Sequence, residues 1–251
     1  MEIKRERTYI FGMGVDTYTR QEVIDKCMGF VYDNKRDCKM IVTPNPEMAM
    51  LAREKKSFLD IMNNADLVLC DGVGIYLAAK LNKIKIPERV QGCNLCFSLF
   101  EIIKDKPVSV YLLGAKPGIA LNAKKMLAEQ YKGINITGAR DGYFKDDEDD
   151  KIIEEINRLK PDILMVGLGF PRQEEWLYRY KNKLNVNVAI AVGGSIDIMA
   201  GNVKRAPQIF QKTGMEWFYR LVSQPSRFVR MLKLPQFVIV FLMSKIFRSA
   251  D

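Results

Sequence analysis

Short apolar runs alternate along this chain with stretches whose apolar positions recur every three to four residues. The runs are MIV (40–42), LVLC (67–70), VSVYLLG (108–114), INITG (134–138), DILMVG (162–167) and VNVAIAV (186–192). They are short and most of them nearly continuous in apolar character, the pattern of strands covered on both faces. Glycine- or proline-bearing turns follow, and then amphipathic stretches: EMAMLAREKKSFLDIMNNA, VGIYLAAKLN, IALNAKKMLAEQY, DEDDKIIEEINRLK, EEWLYRYKNKL and SIDIMAG. The first of these predicts one continuous helix. Residues 9–31, YIFGMGVDTYTRQEVIDKCMGFV, predict one more strand and helix. The repeated strand–turn–helix order predicts an α/β fold, a Rossmann-like, mostly parallel sheet with helices on both faces, over residues 1–200.

The pattern changes after Gly201. Residues 201–251 carry nine Lys or Arg against Glu216 and Asp251, a net of 9 − 2 = +7 within a whole-chain charge of +9. Aromatic and aliphatic residues are interleaved with these charges, and Pro225 and Pro235 divide the segment. This predicts a C-terminal basic, amphipathic helical appendage that lies on an anionic membrane surface. The competing reading packs the same helices on the core or on a second subunit of a homo-oligomer. The run Phe237–Met243 is far shorter than the ~20 residues needed to cross a bilayer.

Composition narrows the chemistry. With 251 residues and 48% hydrophobic content the chain can build a large core, and it has no histidine. A histidine triad, a histidine base and a histidine-ligated metal are therefore excluded, which leaves acid–base work mainly to Asp, Glu, Lys, Tyr or Cys. Five scattered cysteines, with no secretory signal read at the N-terminus, predict reduced thiols in the cytoplasm. The CNLC at 93–96 lacks a second ligand pair for zinc and is read as two small buried residues on a helix. The acidic run DDEDD (146–150) suits the start of the helix that follows it. No metal is expected. The GMGVD near the N-terminus is not a dinucleotide fingerprint, and no P-loop occurs.

Polar residues gather where the strands should end. Thr43 and Asn45 follow MIV in TPNPE. Asp71 follows LVLC, either to cap the helix GIYLAAKL or to do chemistry at a strand end. Gly167, Gly169 and Gln173 follow DILMV in GLGFPRQ, and Gly193, Gly194 and Asp197 follow VNVAIAV. Glycine turns opening into helix N-termini suit phosphate groups, so this convergence favours a nucleotide or phosphosugar site. Arg89 and Gln91 in ERVQG offer a phosphate partner. Tyr143 or Phe144 in DGYF offers a face for a base, and for each of them the competing reading is an aromatic plug in the core.

Taken in order, TPNPEM, ADLVLCDGVG, ERVQG, LLGAKPG, DGYF, GLGFPRQEEW, VGGSIDIMAG and RAP…GMEWFYRL…QPSRFVRM resemble the WecG/TagA/CpsF glycosyltransferases from about residue 8 to about residue 235. The resemblance implies a metal-independent, inverting transferase without a cofactor. The implied donor is UDP-N-acetylmannosamine and the implied acceptor is N-acetylglucosaminyl-diphospho-undecaprenol, giving the β-linked disaccharide lipid that begins wall teichoic acid. By the same likeness Asp71 is the general base, and Thr43, Asn45, Arg89 and Gln173 belong to the active site. Tyr143 and Asp197 lie near the nucleoside, and Arg220, Arg227 and Arg230 reach over the site at the inner membrane face. CNLC departs from the more polar residues expected after ERVQG. The alternatives are another UDP-sugar (N-acetylmannosaminuronic acid or glucose), or a UDP-sugar- or nucleic-acid-binding module without turnover. Against nucleic acid, the basic residues concentrate in one terminal segment rather than along a groove.

Overall fold

The computed structural model describes residues 7–223 and 232–248. In chain order its elements are β1 (Arg7–Ile10), β2 (Met13–Asp16), α1 (Arg20–Val31), β3 (Lys39–Val42), α2 (Pro46–Glu54), α3 (Lys56–Asn63), β4 (Leu67–Val68), α4 (Val73–Leu81) and α5 (Gly92–Ile103). There follow β5 (Ser109–Gly114), α6 (Ile119–Gln130), β6 (Asn135–Arg140), α7 (Asp149–Leu159), β7 (Ile163–Gly167), α8 (Arg172–Tyr180), β8 (Val188–Ala191) and α9 (Ser195–Met199). The C-terminal segment carries α10 (Gln208–Lys212), α11 (Glu216–Ser223) and α12 (Lys233–Arg248).

Six strands form one sheet in the order β4-β3-β8-β7-β5-β6, and every pairing in it is parallel. Successive strand residues feed two different cores, which is why the runs look evenly apolar. Met40, Val42, Leu164 and Val166 join the core shared with α2, α3, α4, α7 and α8. Ile41, Ile163, Met165 and Ile190 join the core on the opposite face with α1, α5, α6 and α9. Each strand thus keeps the period of two, with both faces buried.

Two elements differ from expectation. Residues 9–16 make a hairpin rather than one strand, with Phe11 (φ 52°) and Gly12 (φ 80°) both left-handed at its tip. That is the geometry favoured for two-residue hairpin loops, reached here without the usual Asn-Gly pair. The helix expected over 47–65 is broken at Lys55, which is extended (φ −126°, ψ 104°) between α2 and α3. In an unbroken helix Phe58 would stand about 240° round from Ala52, at roughly 100° per residue, away from the buried stripe. The break resets the phase so that Phe58, Ile61 and Met62 all reach the core.

The C-terminal helix does two things at once. Phe237 and Phe241 of α12 are buried in the first core, with the Phe11 ring edge-on to both at 5.6 and 6.1 Å. Lys233 reaches Glu54 of α2 at 3.6 Å. Val238, Ile239, Leu242 and Met243 on the same helix are exposed. The run Phe237–Met243 is therefore split between core packing and an open apolar face.

Candidate functional site

All six strands of the sheet deliver polar turns to its carboxyl edge, where a cleft of about 500 Å³ lies. In spatial order across the sheet, Asp71 comes from the end of β4, and Thr43 and Asn45 from that of β3. Gly194 and Asp197 come from the β8–α9 turn, Gly167, Gly169 and Gln173 from β7–α8, Ala115 and Lys116 from β5–α6, and Tyr143 from the segment after β6. Arg89 and Gln91 complete the wall from the loop before α5. Apart from Phe144, every core residue singled out for the site from the sequence lines this one cleft. Of the appendage arginines, Arg227, Arg230 and the side chain of Arg220 lie outside the described residues.

Local chemistry explains how several of these side chains are aimed. Asn45 is the N-cap of α2: its Oδ1 accepts from the Met48 N–H at 3.0 Å, with Pro46 at the first helical position. Its amide nitrogen is thereby left for other partners. Asp71 does not cap its own following helix, as one reading of the sequence held. The cap position of α4 belongs to Gly72 and has no side-chain hydrogen bond. Instead the Asp71 carboxylate crosses to α5, where Oδ2 lies 3.4 Å from the Gly92 N–H at that helix's positive end.

Gly167 and Gly169 serve different ends. A Cβ on Gly167 would meet the Gly193 carbonyl oxygen at 2.7 Å, so that glycine allows two strand ends to close on each other. Gly169 has a left-handed φ of 81° and open space beside it. The aromatic pair separates cleanly. Tyr143 is 67% exposed at the cleft, whereas Phe144 is buried with the Arg172 guanidinium 4.5 Å over its ring.

Arg89 and Gln91 tie the appendage to the core. Arg89 Nη2 donates to the Gln211 carbonyl at 2.9 Å, and Gln91 Nε2 donates to Glu216 Oε2 at 2.9 Å. Through these contacts Glu216 and Trp217 of α11 enter the cleft wall, together with Leu234 of α12. Sequence reasoning missed Glu216 and Trp217 because they lie far along the chain from the strand ends they join. It also missed Glu47 and Lys116, although Lys116 stands in the glycine-bearing turn after β5.

The charge balance of the cleft is informative. Among its described lining residues Glu47, Asp71, Asp197 and Glu216 are acidic, and only Arg89 and Lys116 are cationic. Cys70, next to Asp71, is no nucleophile: burial pushes its thiol up to about 12. Cys93 and Cys96 are both buried on α5. In DDEDD, Asp149 is buried and accepts from Trp176 Nε1 and Tyr180 Oη, each at 2.8 Å, a structural tie between α7 and α8.

Comparison with known proteins agrees with this arrangement. The sequence model of the WecG/TagA/CpsF glycosyl transferase family matches residues 8–251. The N-acetylglucosaminyldiphosphoundecaprenol N-acetyl-beta-D-mannosaminyltransferase of Bacillus subtilis (strain 168) is 32% identical over 225 residues, covering 90% of this chain and 84% of the relative. The protein of the same name from Bacillus spizizenii is 35% identical over 202 residues, 80% of this chain and 78% of the relative. That from Staphylococcus aureus (strain MW2) is 32% identical over 229 residues, 91% and 89%. With a parallel α/β sheet, a polar cleft along its carboxyl edge and a family match over nearly its whole length, the chain belongs to the WecG/TagA/CpsF glycosyltransferase family.

Proposed function

We propose that this protein transfers N-acetylmannosamine from UDP-N-acetylmannosamine to N-acetylglucosaminyl-diphospho-undecaprenol with inversion at the anomeric carbon. The observation that carries the reading is Asp71, a carboxylate at a strand end inside the cleft, in a family whose relatives bear the name of that reaction. In this role Asp71 takes the proton from the acceptor's sugar hydroxyl as that oxygen attacks the donor's anomeric carbon and UDP departs. One displacement with one base inverts the centre. Thr43, Asn45 and Gln173 hold the sugar by hydrogen bonds. Tyr143 and Asp197 meet the nucleoside, where a carboxylate suits a ribose hydroxyl or the uracil N–H.

The leaving diphosphate needs more positive charge than the described lining supplies, since four carboxylates there face two cations. We assign the remainder to Arg220, Arg227 and Arg230, whose guanidiniums act on charge that is greatest in the transition state. No metal takes part in this scheme. The exposed apolar face of α12 and the +7 charge of residues 201–251 hold the protein at an anionic membrane surface, at the cytoplasmic face where its lipid-linked acceptor is reached. Among the described residues no helix is long and apolar enough to cross a membrane.

Product analysis with a panel of UDP-sugars and a short-chain acceptor analogue tests the reading. A β-linked disaccharide formed from UDP-N-acetylmannosamine, and in preference to the uronic acid or glucose donors, is the expected result. Preference for another donor would reassign the pathway while keeping the chemistry.

A further inference from the structure

Beside the cleft lies a carboxyl group that the proposed reaction does not use. Glu174, at the start of α8, is fully buried, and its Oε2 has no hydrogen-bond partner among the described residues. Its Oε1 accepts from Gln173 Nε2 at 2.7 Å. The Gln173 amide in turn accepts, through Oε1, from the Gly193 N–H at 3.0 Å. The side chain of Gln173 thus bridges the β7–α8 and β8–α9 turns while lining the cleft.

A primary amide offers two N–H donors and one carbonyl oxygen. Turned over, the Gln173 amide would set its NH₂ against the Gly193 N–H, donor against donor. Bound at both ends as observed, it keeps one Nε2 hydrogen as its donor for a ligand. A buried polar atom left without a partner costs about 1–3 kcal/mol, so an apolar residue at 174 would be the better choice for stability alone. We propose that Glu174 is a positioning residue that clamps the Gln173 amide, so that Gln173 presents an N–H to an acceptor oxygen of the sugar nucleotide. The last step of this inference rests on the sugar-nucleotide reading of the cleft; the clamp itself does not.

The state of the acid fits this role. Burial is the main cause that pushes the Glu174 carboxyl up to about 8, while its hydrogen bond from Gln173 opposes the shift. The charged groups acting on it, Glu175 and Glu47, are both acidic and add to the rise, and Glu175 is itself paired with Lys55 at 3.2 Å.

The test uses the full-length protein, Glu174→Gln and Glu174→Leu. The ¹⁵N–¹H pair of the Gln173 carboxamide is assigned by its loss in Gln173→Ala. In the parent protein the two amide protons should be widely separated, and they should titrate between about pH 6 and pH 10 as the neighbouring acid ionises. Glu174→Gln should keep the separation, abolish the titration, and hold kcat/KM for UDP-N-acetylmannosamine within about threefold, because an acceptor remains. Glu174→Leu should collapse the separation and lower that kcat/KM about tenfold or more, the equivalent of about 1.4 kcal/mol. Unchanged Gln173 signals in a folded Glu174→Leu protein would overturn the clamp. If Glu174→Leu does not fold, a parent Gln173 pair whose two protons lie as close together as those of a free carboxamide overturns it equally. A clamp seen by NMR with Glu174→Leu turnover unaltered overturns the role toward ligand. A clamp seen in a parent protein that turns over no sugar nucleotide leaves the clamp standing and refutes the functional reading instead.

Discussion

Asp71 stands where a buried strand meets the cleft, and its carboxylate is directed at the N-terminus of α5 rather than at its own helix. Asparagine there keeps the size and an acceptor for the Gly92 N–H but removes the base. Asp71→Asn should therefore lower turnover by roughly 10²–10⁴-fold while leaving the thermal midpoint nearly unchanged. Near-normal turnover in single-turnover assays would remove Asp71 from the role of base. Glu174 gives a second expectation, this one on stability. Burial pushes its carboxyl up to about 8 in the folded protein, above the ordinary 4.5 of the unfolded chain. Between those values the folded state holds a proton that the unfolded state releases, so stability falls as pH rises through this window and levels off above it. The melting temperature of the parent protein should show this fall between pH 5 and pH 8 more steeply than Glu174→Gln, as scanning calorimetry in matched buffers can establish.

At the scale of an element, α12 separates two effects that a truncation would mix. Its Phe237 and Phe241 complete the core beside Phe11, whereas Val238, Ile239, Leu242 and Met243 face outward. Phe237→Ala should cost about 3–5 kcal/mol, measured by chemical denaturation, because it empties a packed site. Replacing Val238, Ile239 and Leu242 by Ser should leave stability and soluble-acceptor turnover nearly unchanged and weaken binding to anionic vesicles. Vesicle binding equal to that of the parent would show that this face is not the anchor. Deleting everything after Gly201 would remove the Phe237 and Phe241 packing together with the cleft residues Glu216 and Trp217, so loss of activity in such a truncation would not single out the arginines.

The molecule as a whole sets a charge problem at its cleft, four acidic groups against two basic ones among the described lining residues, in a chain whose last 51 residues carry a net +7. If arginines of that segment meet the leaving diphosphate, Arg227→Ala and Arg230→Ala should lower kcat with a soluble acceptor while changing UDP affinity much less. The same scheme expects turnover to survive EDTA. Inhibition by chelator that Mg²⁺ or Mn²⁺ reverses would assign that charge to a metal instead. A kcat equal to the parent's in both variants would take Arg227 and Arg230 out of the site.

Read alone, the sequence specifies the alternation of strand and helix, the parallel sheet and the polar strand ends, because these follow from local periodicity and from turn residues only a few positions away. Thr43, Asn45, Asp71, Gln173 and Asp197 were legible for that reason: each lies within six residues of the end of a buried strand. It did not determine the break at Lys55, since the phase of a buried stripe is fixed by the surface it meets. Nor did it decide which of Tyr143 and Phe144 faces the cleft, or that Asp71 is directed at α5. The tertiary structure alone brought Glu216 and Trp217 to the cleft and tied the Gln173 amide to the Gly193 N–H. It also divided the final apolar run into a core face and an open one. These outcomes rest on contacts between distant segments, and such contacts leave no periodic trace in the residues that make them.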